Sequence, residues 1–484
     1  MSARAGAERA VSRRTMTPRH ALHLADDESV ETSNIVHVWV FGPGENGEDP
    51  LSHAELVDWV SARLSRSRVF TEVVEFRSPL AYPSWRSVTD MQVEDHVHCI
   101  DLDGGGWGAV RRELLRVLTT PMDLRRPPWE VYALTGAHAV PGIDDGATFV
   151  ALKFHHSMGD GVEAVAIGRK LFDAPDVLAD CSDRDQKFTA PPNFVRQVGM
   201  LPGQITKMLL AARRARNAVA ELGTLDELPS LPETRANRFN ELPRNNDLVF
   251  DLARWPLETV HAARAALPEA TVNDFALAVI AGAMRSYLRE HDELDGSSVV
   301  VGVPMSLVPL ASRWTSKDEV SNQFGMILVD LQADEPDPVV RFAGIVAGTM
   351  HGKRRSRNSL VLAATTALDD YPWWAAKRVI ASTRRAVKKG KRIAANALVT
   401  NVPRGSADVQ LCGRSGISAF GVVSADSGTA FAVASLGTEL TISFTASRAA
   451  VPGSHRFREL LEASFTELVE ALGGLKTSRS DLVK

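Results

Sequence analysis

Hydrophobic residues in the first half of the chain follow strand-like and helix-like spacings in turn. Asn34–Phe41 and Ala147–Phe154 are short runs dominated by apolar side chains, which is typical of buried strands. Ser52–Leu64 and Val162–Phe172 place apolar residues at the three-to-four-residue spacing of an amphipathic helix. Strands that alternate with helices predict an α/β fold.

The second half of the chain has the same mixture of patterns. A proline-rich polar segment that begins at Pro191-Pro192 precedes it. The predicted elements are a helix over Val272–Arg289, strands over Ser298–Pro304, Val409–Phe420, Thr429–Leu436 and Glu439–Ala446, and a closing helix over His455–Leu472. The second half is therefore expected to be α/β as well.

The length of the chain predicts more than one core. At 484 residues it exceeds the size at which a single hydrophobic core usually stops growing, so we expect two halves. The predicted units are a loose basic N-terminal arm over residues 1–15, an N-terminal half over 16–190, a crossover linker over 191–245 and a C-terminal half over 246–484.

Composition and charge exclude several classes of protein. Apolar residues make up 44% of the chain, and the net charge of -4 predicts no nucleic-acid partner. The N-terminus lacks the apolar core of a signal peptide, and the longest apolar runs are too short for a transmembrane segment. Cys99, Cys181 and Cys412 fit no disulfide framework, which favours a reducing compartment. We therefore expect a cytoplasmic protein whose contact with membranes or lipid inclusions is peripheral.

No metal site is predicted. The densest group of metal-ligating residue types is His96-Val97-His98-Cys99, but alternation along a strand would place Cys99 opposite the two histidines and leave too few ligands. P-loop, dinucleotide-binding and Gly-x-Ser-x-Gly motifs are absent from the sequence, which excludes the common kinase, dehydrogenase and hydrolase interpretations. We expect no permanently bound cofactor.

The most distinctive motif is the run His155-His156-Ser157-Met158-Gly159-Asp160-Gly161, where a predicted strand meets the next helix. Histidine, with an ordinary pKa of about 6.5, can take a hydroxyl proton near pH 7 and return it to a leaving group. Neighbouring side chains at a strand end point to opposite faces, so only one of His155 and His156 is expected to be the base. The alternative is that both are hydrogen-bonded core residues.

Asp160 follows His156 by four residues, and the two glycines beside Asp160 allow a tight turn into the helix. Its carboxylate could orient an imidazole or brace the loop through an ion pair with an arginine. The residues alone leave both roles open.

The histidine run resembles the His-His-x-x-x-Asp-Gly signature of the coenzyme A-dependent acyltransferase superfamily. Further segments, in the same order along the chain, resemble motifs of one branch, the bacterial wax ester synthase/diacylglycerol acyltransferase family. They are Pro121–Glu130, Asn273-Asp274, Val303–Ser306, Ser321–Gly325 and Thr400–Pro403.

The resemblance implies two chloramphenicol-acetyltransferase-like halves with mixed sheets and an active-site channel between them. It implies O-acyl transfer from long-chain acyl-CoA, a co-substrate, to a lipid hydroxyl, so that diacylglycerol gives triacylglycerol or a fatty alcohol gives a wax ester. By the same resemblance His156 is the base and His155 supports it, while Asp160 and Gly161 are structural. Asn273 would lie near the active site, positioning the acceptor or stabilising an oxyanion. From the residues alone, Asn273 fits a helix N-cap equally well.

Two positions depart from the family pattern. Val308 stands where an arginine is usual, which leaves the charge partner of Asp160 open, with Arg313 as the candidate substitute. Leu436-Gly437-Thr438 replaces a Tyr-Asn/Gly turn, a change that can alter acceptor binding.

A basic segment allows several interpretations. Residues Arg341–Arg392 contain thirteen Lys or Arg and two acids, and include Trp373 and Trp374. Such a segment suits an anionic membrane or inclusion surface, a solvated basic helix with its tryptophans packed inward, or the steering of a polyanion such as coenzyme A. Two other functions stay open: a condensation-type acyltransferase that uses carrier-protein thioesters, and an inactive paralogue that binds lipid inclusions.

Overall fold

The computed structural model consists of two six-stranded mixed sheets, a small three-stranded sheet and helices packed against them. It describes residues 13–25, 33–44, 50–172, 194–224, 230–245, 247–297, 299–306, 324–388, 393–425 and 428–481.

The described residues form fifteen strands. They are β1 (Arg13–Thr15), β2 (Asn34–Phe41), β3 (Glu72–Glu75), β4 (Ser84–Ser87), β5 (Val97–Asp101), β6 (Trp129–Thr135), β7 (Thr148–His155), β8 (Leu248–Pro256), β9 (Val300–Ser306), β10 (Phe324–Asp330), β11 (Ala397–Asn401), β12 (Gln410–Leu411), β13 (Arg414–Val422), β14 (Thr429–Leu436) and β15 (Glu439–Ser447).

Eleven α-helices lie in the described part of the chain. They are α1 (Pro18–Ala21), α2 (His53–Ser61), α3 (Trp107–Thr119), α4 (Gly161–Leu171), α5 (Phe194–Leu222), α6 (Leu257–Arg264), α7 (Val272–Glu290), α8 (Pro338–Ser356), α9 (Ser359–Thr366), α10 (Trp373–Lys388) and α11 (Ser454–Asp481).

The first sheet has the strand order β12-β13-β2-β7-β6-β5, and the second has the order β10-β9-β11-β14-β15-β8. Each sheet contains parallel and antiparallel neighbours: β5 pairs with β6 in parallel, and β11 pairs in parallel with both β9 and β14. The predicted α/β fold with mixed sheets is therefore confirmed. Strands β12 and β13 come from the second half of the chain, so both halves contribute to the first sheet.

The two large sheets pack against each other through β13 and β15. Thr441 Oγ1 donates to the Ala419 carbonyl at 2.8 Å, and Ser443 Oγ donates to the Gly421 carbonyl at 2.7 Å. Buried apolar side chains of β2, β7, β8 and β13 form one continuous cluster beside these bonds. This shared core holds the two sheets in a fixed relative position, because close-packed cores resist small displacements.

Most predicted elements are confirmed to within a few residues, and β2 and β14 have the predicted bounds. The predicted strand Val409–Phe420 is wrong as a single element: β12 and β13 are separated by a turn in which Cys412 and Gly413 have φ values of 46° and 76°. Residues 13–15 of the predicted N-terminal arm form β1, which pairs with β4. Helix α5 occupies much of the segment predicted as a crossover linker.

Candidate active site

The histidine run lies where β7 passes into α4. β7 ends at His155, residues His156–Met158 form a turn of 3-10 helix, and α4 begins at Gly161. Asp160 is the N-cap of α4, because its Oδ1 accepts hydrogen bonds from the N–H groups of the second and third helical residues at 2.9 and 3.1 Å. Glu163 accepts in return from the Asp160 N–H at 2.9 Å, which completes a capping box. The histidines are thus held between a buried strand and a capped helix.

His155 is the buried member of the histidine pair. Its Nδ1 accepts a hydrogen bond from the Ser157 N–H at 3.2 Å and lies 2.8 Å from Ser157 Oγ. Burial, with a smaller contribution from His156, lowers the pKa of His155 to about 3. An imidazole with this pKa is neutral at pH 7. The contacts with Ser157 therefore occupy Nδ1 of His155 and fix the orientation of its ring.

His156 is half-buried and stacks on His23. The two ring centroids are 3.9 Å apart, and the ring planes are inclined by 9°. The backbone N–H of His156 donates to the Ser33 carbonyl at 2.7 Å, and its buried Nδ1 has no hydrogen bond to any other described residue. Burial lowers the pKa of His156 below the ordinary 6.5, while its own carbonyl and Asp160 raise it in part. The imidazole is therefore neutral at pH 7, as a general base must be.

Two further buried imidazoles lie beside His156 and interact with it electrostatically. Nε2 of His20 lies 3.8 Å from Glu163 Oε2, and burial above all lowers the pKa of His20 to about 4. His37 lies 2.9 Å from Nη1 of the buried Arg404, and burial followed by Arg404 lowers the pKa of His37. Sequence reasoning missed His20, His23, His37 and Arg404. No spacing in the sequence connects them with the histidine run, because only the fold brings these segments together.

The start of α7 approaches the start of α4 through the end of β11. A Cβ at Gly161 would lie 2.9 Å from Cγ2 of Val402, so only glycine permits this close approach. On the other side, Asn401 Nδ2 donates to Asn273 Oδ1 at 3.3 Å. Asn273 and the histidine run therefore flank the same short segment.

Asn273 is not the N-cap of α7. That role belongs to Thr271, whose hydroxyl accepts from the Asp274 N–H at 3.3 Å, while the Asp274 carboxylate accepts from the Thr271 N–H at 2.8 Å. The N-cap alternative for Asn273 is therefore wrong. The pattern Thr-x-x-Asp is close to the sequence signature of a capping box and could have identified Thr271.

Comparison with known proteins decides the family. Residues 16–276 match the model of the wax ester synthase/diacylglycerol acyltransferase catalytic domain, and residues 320–469 match the model of the WS/DGAT C-terminal domain. This chain belongs to that family. It is an acyltransferase, as the motifs predicted.

Individual relatives agree with this assignment. The chain is similar to a probable diacylglycerol O-acyltransferase, Tgs4, of Mycobacterium tuberculosis, with 26% identity over 428 residues that cover 81% of this chain and 83% of the relative. Its fold is similar to that of a wax ester synthase/diacylglycerol acyltransferase from Marinobacter aquaeolei VT8, with a TM-score of 0.65, 20% identity and coverage of 95% and 100%. It also resembles the first condensation domain of the CDA synthetase, with a TM-score of 0.53, 16% identity and coverage of 96% for each chain.

The family motifs surround the histidine run in this acyltransferase. The His155 N–H donates to the Pro128 carbonyl at 3.0 Å, and Trp129 beside it is fully buried. Arg169 on α4 donates to the Arg404 carbonyl at 3.0 Å, which ties α4 to the segment after β11. In the segment Leu436-Gly437-Thr438, Leu436 ends β14, and the other two residues form the turn to β15. Val308, Arg313 and the first three residues of the Ser321–Gly325 motif lie outside the described residues.

The two histidines of the His96–Cys99 segment pack against aromatic rings. His96 stacks on Trp129 and His98 stacks on Tyr132, each with ring centroids 4.6 Å apart. Trp129 and Tyr132 point to opposite faces of β6, so the expectation that the two histidines share a face is wrong. Strand β5 begins only at Val97, after His96. Across the part of the chain that the structure describes, no group of three or more His, Cys, Asp or Glu side chains is arranged to hold a metal.

Replacing Asp160 by asparagine is expected to shift the acid limb of the pH profile to lower pH. A histidine base acts when neutral, so with His156 as the base kcat/KM is expected to fall as the pH drops through the pKa of His156. Asparagine keeps the N-cap but removes the charge that raises this pKa, so the limb moves down. A profile of kcat/KM below pH 7 for both enzymes measures the shift. A limb that stays in place would mean that the Asp160 charge does not act on the base.

Proposed function

We propose that this acyltransferase moves a long-chain acyl group from acyl-CoA to a lipid hydroxyl, converting diacylglycerol to triacylglycerol, a fatty alcohol to a wax ester, or both. The observation that carries the proposal is His156, a half-buried neutral imidazole where the end of β7 meets the end of β11. The name of the mycobacterial relative supports diacylglycerol as the acceptor.

In the proposed reaction, His156 takes the proton of the acceptor hydroxyl as the hydroxyl oxygen attacks the thioester carbonyl carbon. The carbonyl electrons move onto oxygen, which gives a tetrahedral intermediate with an oxyanion. When the carbonyl re-forms, the carbon–sulfur bond breaks and the thiolate receives the proton held by His156. The products are an ester and free coenzyme A, and the imidazole is neutral again.

Residues around His156 orient its ring and can stabilise the oxyanion. His155, neutral and bonded to Ser157, holds the strand end without competing for the proton. His23 stacks on the base and limits its rotation, because a parallel ring at 3.9 Å leaves little room to turn. Asn273 can donate its amide N–H to the oxyanion.

Radiolabelled palmitoyl-CoA incubated with the purified protein and either diacylglycerol or hexadecanol is expected to yield labelled ester, resolved by chromatography. A palmitoyl carrier-protein thioester serves as the alternative donor. Ester formed only from the carrier-protein thioester would replace this proposal with the condensation-type function. Ester formed from neither donor would favour the inactive, lipid-binding paralogue.

We further propose that the enzyme meets its acceptor at a membrane or lipid-inclusion surface. Diacylglycerol and fatty alcohols partition into such surfaces, and α5 exposes the apolar side chains Val198, Ile205 and Leu209 at spacings that share one helix face. No helix in the described ranges is long and apolar enough to cross a membrane. Cosedimentation with vesicles that contain diacylglycerol measures the association, and a protein that stays in the supernatant contradicts it.

A further inference from the structure

A cationic groove lies on the outer face of α10, where the helix meets the segment after β3. It has a volume of about 650 Å³, and its lining includes the side chains of Arg77, Lys377, Arg378 and Arg385. No carboxylate is among the described residues that line it. The groove therefore carries four positive charges in a chain whose net charge is -4.

The positive charge of the groove has little local compensation. The nearest ion pair of Arg77 is to Glu75, with 3.9 Å between Nε and Oε2. Glu75 is also the partner of Arg13 at 3.1 Å and of Arg86 at 3.6 Å, so a single carboxylate serves three guanidinium groups. The cations that line the groove thus favour an anionic occupant.

The cationic side chains of the groove lie beside two partly exposed aromatic side chains, Trp374 and Phe76. Trp374, Lys377, Arg378 and Arg385 are spaced so that they share one face of α10. The guanidinium carbon of Arg378 lies 5.7 Å from the ring centroid of Trp374, and Phe76 across the groove is half exposed. Phosphate groups bind arginine and lysine, and a planar heterocycle stacks on aromatic and guanidinium faces. The lining therefore fits a ligand that has phosphates and an aromatic base.

Trp373 lines the groove and also reaches into the core beneath α10. Trp373 is buried and packs on Tyr82, with ring centroids 5.5 Å apart, in the core cluster that also contains Met158 of the histidine run. Helix α10 also contacts the 3-10 turn Leu22–Leu24, which carries His23. The helix that lines the groove thus contacts the turn whose His23 stacks on His156.

We propose that this groove binds the nucleotide end of the acyl-CoA donor, with the phosphates on Arg77, Lys377, Arg378 and Arg385 and the adenine against Trp374 and Phe76. The inference rests on the proposed function, because it takes acyl-CoA as the donor. In this proposal Trp373 forms the buried floor of the groove, while the more exposed Trp374 contacts the adenine.

The double substitution Lys377→Glu and Arg378→Glu tests the assignment. We expect KM for palmitoyl-CoA to rise by about tenfold or more, because two phosphate contacts become repulsive. The kcat/KM for palmitoyl-pantetheine, which has no nucleotide, should stay unchanged. The matched control is Arg112→Glu with Arg289→Glu, the same charge change at exposed positions of α3 and α7 outside the groove, and it should leave both donors unaffected.

Direct binding separates failure of this inference from failure of the proposed function. Adenosine 3′,5′-bisphosphate, titrated against tryptophan fluorescence, should bind the wild type and bind the groove variant at least tenfold more weakly, whether or not ester is formed. Equal affinity for the two proteins overturns the groove assignment. If the groove variant instead loses binding to phosphatidylglycerol vesicles but keeps its KM for palmitoyl-CoA, the groove is a lipid-headgroup site.

Discussion

Replacing His156 by alanine is expected to lower kcat for ester formation by about 10²- to 10⁴-fold, the usual contribution of a general acid–base group. Without the imidazole, no group at this position takes the hydroxyl proton or returns it to the thiolate. The residual rate should also lose the acid limb that His156 gives to the pH profile. Rates with saturating palmitoyl-CoA and diacylglycerol, measured for wild type and variant, give the comparison.

The control for His156 is a second histidine-to-alanine change at an exposed site. His138, whose side chain is 57% exposed beside Asp145 on the loop after β6, should be replaceable without loss of activity. Thermal unfolding of both variants separates a catalytic effect from a folding defect. If the His156 variant is folded and retains full activity, the proposed mechanism is wrong, while the family assignment stands.

The strand, turn and helix around the histidine run could be predicted from the sequence because each depends on residues that are close together along the chain. The strand before His155 and the helix after Asp160 follow from apolar spacing alone, and the turn between them follows from the flanking glycines. The expectation that Asn273 lies near this run came from the family resemblance, because the motifs that contain the two sites occur in the family's order along the chain. In the structure, the short segment Asn401–Val402 lies between Asn273 and Gly161.

The parts that sequence did not predict depend on pairing between distant segments. His23 reaches His156 only because α1 and the turn after it pack on the histidine run. Arg404 reaches His37 only because the segment after β11 lies beside β2. Likewise, apolar alternation predicts that residues near Arg414–Val422 form a strand but not which sheet it joins. These contacts are non-local, so no pattern within a short window encodes them.

Replacing Asn273 by alanine is expected to lower kcat by about 10²- to 10³-fold, the loss of about 2.7–4 kcal/mol that follows removal of one oxyanion donor. Asn401 donates to the oxygen end of the Asn273 amide, which leaves Nδ2 as the end that can donate to substrate. Because an oxyanion forms only in the reaction, KM for both substrates should change little. The Asn273→Asp variant keeps the shape of the side chain but loses the Nδ2 donor, so its kcat should be as low as that of Asn273→Ala.

The matched control for Asn273 is Thr271→Ala in the same helical turn. This change removes the N-cap of α7 and should reduce the free energy of unfolding by about 1 kcal/mol without lowering kcat. Asn401→Ala should lower kcat by less than Asn273→Ala, because Asn401 only orients the amide. An Asn273→Ala enzyme with reduced stability but unchanged kcat would assign Asn273 to the structure of the helix start and leave the oxyanion without this donor.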